Sequence, residues 1–72
     1  MSVVSEIENM INNNEDSIQM NVDCMAMLNH KHDQKKIGDS DYVINMEKLG
    51  QKYLIYVQRR INYKQAVKLI SE

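Results

Sequence analysis

This 72-residue chain has no proline, no tryptophan and no phenylalanine, and only two glycines. Without proline nothing breaks a helix from within, and two isolated glycines leave few joints, so helices with short connections are expected. A single cysteine, Cys24, excludes an internal disulfide. A lone thiol suits a reducing compartment, where it commonly acts as a small apolar side chain. No stretch approaches the ~20 apolar residues of a membrane span, and no basic start followed by an apolar run marks a signal peptide. The expectation is a cytoplasmic protein without membrane insertion.

Catalytic patterns are missing too. There is no glycine-rich phosphate loop, no nucleophile elbow and no spaced cysteine pair. Cys24 with a histidine elsewhere in the chain is no dyad signal, because many small proteins contain both. The chain is expected not to be an enzyme and to carry no cofactor.

What is present is 43% apolar residues, including six Met and four Tyr. Met fills gaps flexibly and specifies a core weakly. A chain this short sits near the lower limit for a self-sufficient core, so a homodimer or a protein partner is expected to supply missing burial. Charge is divided unevenly. Residues 1–30 carry Glu6, Glu8, Glu15, Asp16 and Asp23 with no Lys or Arg, while residues 31–72 carry nine basic and five acidic side chains. Such halves are suited to lie against each other or against two different surfaces.

Val4, Ile11, Ile18 and Met25 recur every seven residues, with Ile7 and Leu28 at the alternate seam position. Asn14 and Asn21 fall where two further seam residues belong, and Val3, Met10 and Cys24 widen the stripe on one side. This predicts an amphipathic helix over about 3–36, its first turn capped by the Ser5–Glu8 pair. The run "INNNEDS" at 11–17 has low helix propensity, so the helix is either continuous or broken near 12–16. A second apolar band runs Val43, Met46, Leu49, Tyr53, Leu54, Val57 and Ile61, with Gly50 on it. It predicts a helix over about 41–61, capped by Asp39, Ser40 or Asp41, with Gly50 either a weak spot or a place of close approach. At Asn62 the pattern changes phase, and Asn62 with Gln65 makes another capping pair. Residues 62–71 therefore either extend that helix or form a short one of their own. The expected class is all-α, a single small domain over 1–72 built as an antiparallel helical hairpin.

Between the helices lies "LNHKHDQKKIGDSDY", residues 28–42, with both histidines. His30 and His32 are two apart and point to opposite sides of a helix, so they cannot share a metal, and no second cluster completes a ligand set. The stretch reads as a turn at about 37–40, with Lys31, Lys35 and Lys36 near the end of the first helix and Gly38 terminating it. A second candidate surface is "QRRINYKQAVK", residues 58–68, where Arg59, Arg60, Lys64 and Lys68 lie among tyrosines. Basic residues contact phosphates and tyrosines stack on bases, which makes nucleic acid an alternative partner.

The turn with Gly38 and Asp39, Tyr42 just inside the second helix, and the run "VINMEKLGQKYLIYVQRRI" give residues 18–62 a shape that resembles the small YscE-type co-chaperones of type III secretion. The resemblance implies a helical hairpin that pairs with a tetratricopeptide-like subunit, the pair holding the needle protein unpolymerised in the bacterial cytoplasm. It also implies that Tyr42, Met46, Leu49, Tyr53 and Val57 are shared between the hairpin core and that larger partner.

Overall fold

The structure, a computed structural model, describes residues 2–71. Two long helices, α1 (Val3–Asp33) and α2 (Asp39–Ser71), pack antiparallel as an all-α hairpin. The result is a rod of 52 × 16 × 13 Å with a Cα radius of gyration of 16.3 Å, against about 11 Å for a compact domain of this length.

α1 starts earlier than the Ser5–Glu8 pair suggests. Ser2 is the N-cap, in an extended conformation, and its hydroxyl accepts from the Ser5 main-chain N–H at 3.1 Å. The helix then runs without a break through the asparagine run. The physical reason is visible in two side chains. Asn14 turns inward and donates to the main-chain carbonyl of Tyr56 at 2.8 Å, and Ser17 donates to the carbonyl of Asn13 at 3.2 Å. Asn14, spent on a bond across the hairpin, no longer competes for its local backbone, which is how Asn normally unwinds a helix. Ser17 bonds back to the carbonyl four residues earlier, an arrangement an intact helix accommodates.

The turn is made by Lys35 rather than by Gly38. α1 ends at Asp33 instead of about 36, Gln34 is the C-cap, and Lys35 adopts a left-handed φ of 58°. Lys35 N–H donates to the His32 carbonyl at 3.0 Å and Lys36 N–H to the Lys31 carbonyl at 2.9 Å. That pair of bonds is a Schellman motif, which satisfies the last carbonyls of the helix. Neither described glycine has a positive φ. Gly38 instead opens α2, its carbonyl accepting from Tyr42 N–H at 3.0 Å, so Asp39 and Asp41 lie inside the first turn and do not cap it. There they face the positive end of the helix dipole. A left-handed lysine is strained where glycine is not. Lys35→Gly is therefore expected to stabilise the hairpin by about 1 kcal/mol, read as a rise in melting temperature. A lower melting temperature would show that the lysine side chain contributes more than its backbone costs.

α2 continues unbroken to Ser71, so residues 62–71 are no separate helix. Asn62 makes no cap, its side chain accepting instead from Gln58 at 3.0 Å. The apparent phase change came from counting Ile61 as an inward residue, whereas it is exposed. The half-buried residues that line the seam are Tyr42, Met46, Leu49, Tyr53, Tyr56, Arg60, Tyr63 and Val67, a strict alternation of four and three steps, with half-buried Gly50, Val57 and Ala66 to its sides. On α1 the inward set is Val4, Ile7, Ile11, Asn14, Ile18, Asn21, Met25, Leu28 and His32, again spaced by three and four. Two helices carrying such seams pack side by side along their length.

The register is fixed by two hydrogen bonds. Asn14 donates to the Tyr56 carbonyl and Asn21, seven residues on, donates to the Leu49 carbonyl at 3.1 Å, seven residues back. One antiparallel alignment satisfies both. At the turn, His32 stacks on Tyr42 with ring centroids 4.1 Å apart, its Nε2 lies 2.7 Å from Asp39 Oδ1, and Tyr42 donates to Asn29. These contacts clasp the end of the hairpin. Removing both the stack and the contact to Asp39 with His32→Ala is expected to cost about 1 kcal/mol, seen as a lower urea midpoint. An unchanged midpoint would show that the Schellman turn alone holds that end.

Candidate interaction surface

Among the described residues the buried apolar core is Ile18, 9% exposed, and no side chain is fully buried. The other two buried residues are polar, Asn14 and Asn21. Most of the remaining apolar residues are half-buried along the seam or open on its two flanks, and Ile44 is exposed on the far side of α2. The question of function therefore turns on those flanks.

One flank is rich in methionine. Val3, Met10 and Cys24, expected to widen the seam, lie outside it and are exposed, as are Met20 and Met27. Of these, Cys24 and Met27 stand opposite Asn45, Lys48 and Lys52 of α2. There a shallow groove of about 300 Å³ is lined by Cys24, Met27, Lys31 and those three residues, with Leu28 and Leu49 as its floor. A neighbouring groove of about 220 Å³ continues it past Ser17 and Met20.

The other flank carries the rest of the band read from α2. The sequence merged two faces into one. Met46, Leu49 and Tyr53 point into the seam, whereas Val43, Leu54 and Ile61 are exposed and flank it, with Gly50 and the half-buried Val57 between them. The α1 edge on this side supplies Val22, Ala26 and Asn29, which line a third groove with Met25 and Tyr53. A Cβ added at Gly50 meets nothing within 4 Å, so α1 does not require the glycine for close approach.

Of the five residues expected to be shared with a partner, Tyr42, Met46, Leu49 and Tyr53 thus face α1, and Val57 lies at the edge of the outer flank. Of the four basic residues of the nucleic-acid alternative, Arg60, Lys64 and Lys68 lie within about 80° of one another around α2, and Arg59 stands apart. Arg60 lies in the seam, its apolar stem half-buried and its guanidinium 3.7 Å from Glu15 Oε2. Arg59 lies over the Tyr56 ring at 5.8 Å. Lys64 and Lys68 are exposed, about 140° and 180° around the helix from Arg59. Tyr56 and Tyr63 are half-buried in the seam rather than presented for stacking.

Tyr56 and Arg60 were missed as seam residues because both were read as part of the basic, tyrosine-containing stretch, and Tyr63 was read as the start of a new stripe rather than a continuation of the seam. The signal was available in their spacing, since Tyr42 to Val67 holds the four-three alternation without interruption. Among the described residues no group of three His, Cys, Asp or Glu side chains is placed to hold a metal ion. No helix among them is long and apolar enough to cross a membrane.

Charge is unevenly shared between the helices. α1 holds six acidic residues and one lysine, and α2 holds three acidic residues and six basic ones. Among the described residues the contacts between charged groups of opposite sign are Glu15–Arg60 and, once the imidazole is protonated, His32–Asp39. Most of the opposite charge remains open to solvent or to other molecules.

Comparison with known protein families, with curated proteins and with solved structures finds no match to this chain.

Proposed function

We propose that this chain is a non-enzymatic protein-interaction module whose apolar flanks are completed by another protein chain in the cytoplasm. The observation that carries the reading is the surface left open. A folded monomer of 8.5 kDa exposes about 4,650 Å² by the usual scaling with mass, and this hairpin exposes 5549 Å². The excess, roughly 900 Å², is close to what one partner contributes to a specific protein–protein interface, about 800 Å². It includes Val43, Leu54 and Ile61 on one side and Met10, Met20 and Met27 on the other, apolar residues that gain from burial.

The finer reading is a co-chaperone resembling the YscE type, which stabilises a larger tetratricopeptide-like chaperone subunit of a type III secretion system. Support comes from the residue pattern of the turn and second helix and from the two-helix fold that pattern implies. In this reading Val57 and the exposed residues beside it meet the larger subunit, while Tyr42, Met46, Leu49 and Tyr53 hold the helix in place.

The test is co-expression with the tetratricopeptide-like subunit and needle protein of the same genome. The expected result is a stoichiometric complex in which the chain's helicity and melting temperature rise and the needle protein stays unpolymerised. Failure to bind, with needle filaments forming at the same rate with and without the chain, would overturn the co-chaperone reading. In the same assay Val57→Ala is expected to weaken the complex by about 1–2 kcal/mol, read by titration calorimetry.

A further inference from the structure

We infer that the outer flank of α2 is a self-association surface, onto which a second copy of this chain docks its own α2 antiparallel. This rests on the interaction-module reading and names what covers the flank when the chain is alone. Positions 43, 47, 50, 54, 57, 61, 64 and 68 alternate steps of four and three. That is the spacing of the seam against α1, moved one residue around the helix, so α2 carries two seams side by side. The centre of the second seam is Gly50, Leu54, Val57 and Ile61. Glu47 stands toward one end, and Lys64 and Lys68 toward the other.

A stripe with an acid at one end, bases at the other and an apolar middle is complementary to its own reverse. A two-fold axis between Leu54 and Val57 sets each Leu54 beside Val57 of the second copy. One step outward, Ile61 of the second copy falls on Gly50, and one step further Lys64 falls opposite Glu47. α2 runs from Asp39 to Ser71, so this axis crosses near its midpoint and the two helices overlap along nearly their whole length.

Gly50 is the residue that the hairpin itself leaves unexplained. Its missing side chain faces open space in the single copy, whereas in the antiparallel pair the bare backbone receives Ile61. A parallel pairing of the two α2 helices would set Glu47 against Glu47 and Lys64 against Lys64, which like-charge repulsion disfavours. The adjoining edge of α1 is polar over Glu8, Asn12, Glu15 and Gln19 and turns apolar at Val22 and Ala26, toward the turn of the hairpin.

The experiment is sedimentation equilibrium on the full chain from dilute to millimolar concentration, with four variants. The wild type is expected to form a discrete dimer. Glu47→Lys places two like-charged pairs across the axis and is expected to weaken that dimer by about tenfold or more, as is Lys64→Glu. Combining both reversals restores opposite charges and is expected to recover wild-type association. Gly50→Met adds bulk where the single hairpin has room, so the dilute chain keeps or gains helicity while the dimer weakens. A dimer whose affinity ignores these changes, or is not rescued by the double reversal, would overturn the proposed pairing. A loosely helical monomer at every concentration would remove the dimer alone. A sharply melting monomer would remove the interaction-module reading with it.

Discussion

Ile18→Ala is expected to abolish the isolated hairpin at 25 °C, leaving a far-ultraviolet spectrum with most of its helical signal gone. Ile18 is the one buried apolar residue of the described chain. Truncating a buried Ile or Leu to Ala typically costs 2–5 kcal/mol, from lost transfer energy and the cavity left behind. A core in a chain this size supplies little more than about 3–5 kcal/mol in total, so one such change removes most of the folding free energy. The matched control is Leu54→Ala on the outer flank. Leu54 is 68% exposed, and its truncation is expected to change the dilute hairpin's stability by less than about 0.5 kcal/mol. Equal losses of helicity in both variants would mean that the chain has no distinguishable core, and the assignment of seam and flank would fail.

Asn21→Leu is expected to make the hairpin more stable, by about 2 kcal/mol, raising its melting temperature by on the order of 10 °C. Asn21 is buried, and although its amide donates to the Leu49 carbonyl, its own side-chain oxygen has no partner. A buried acceptor left without a donor costs about 1–3 kcal/mol, and leucine removes it while filling a similar volume. The Leu49 carbonyl loses nothing essential, since it lies within the unbroken α2, where it accepts from its own helix. The loss should appear in specificity. Both seam asparagines are satisfied by one antiparallel register, and a seam Asn elsewhere fixes register and oligomeric state at a cost in stability. The double variant Asn14→Leu/Asn21→Leu is therefore expected to melt higher still but to sediment as a mixture of larger species. A lower melting temperature for Asn21→Leu would mean that the inter-helix hydrogen bond outweighs the stranded oxygen.

Much of this fold was legible in the residue pattern, and the misreadings have specific causes. The seam of α1 follows from the seven-residue recurrence through Val4, Ile11, Ile18 and Met25, and the asparagines occupy the seam positions that recurrence gives them. Whether the Asn run broke the helix was not legible, because the answer depends on the Tyr56 carbonyl, 42 residues away in sequence. In α2 the aliphatic residues drew attention from the seam. Val43, Leu54 and Ile61 were read together with Met46 and Leu49, although their exposure shows that they belong to a second face. Only a count that treats Tyr56, Arg60 and Tyr63 as seam residues separates the two. The turn misled for a similar reason. Glycine usually takes the left-handed position after a helix, and here Lys35 takes it three residues earlier.

Two apolar stripes on α2 with one α1 to cover them give the functional reading its physical content. In the proposed pairing a second copy buries the second stripe, and the charges at the ends of the stripe set the geometry of that pairing. A larger protein with its own apolar groove would compete for the same residues, and self-association would then act as the resting state of the free hairpin.

The most direct measurement is thermal melting of the purified chain followed by circular dichroism across a wide concentration range, with light scattering on the same samples. If the core is completed only by association, the dilute chain melts broadly at low temperature. The melt then sharpens and rises as concentration increases and the mass doubles. A monomer that melts sharply at one temperature regardless of concentration would show that α1 and α2 suffice for each other, and would contradict the account.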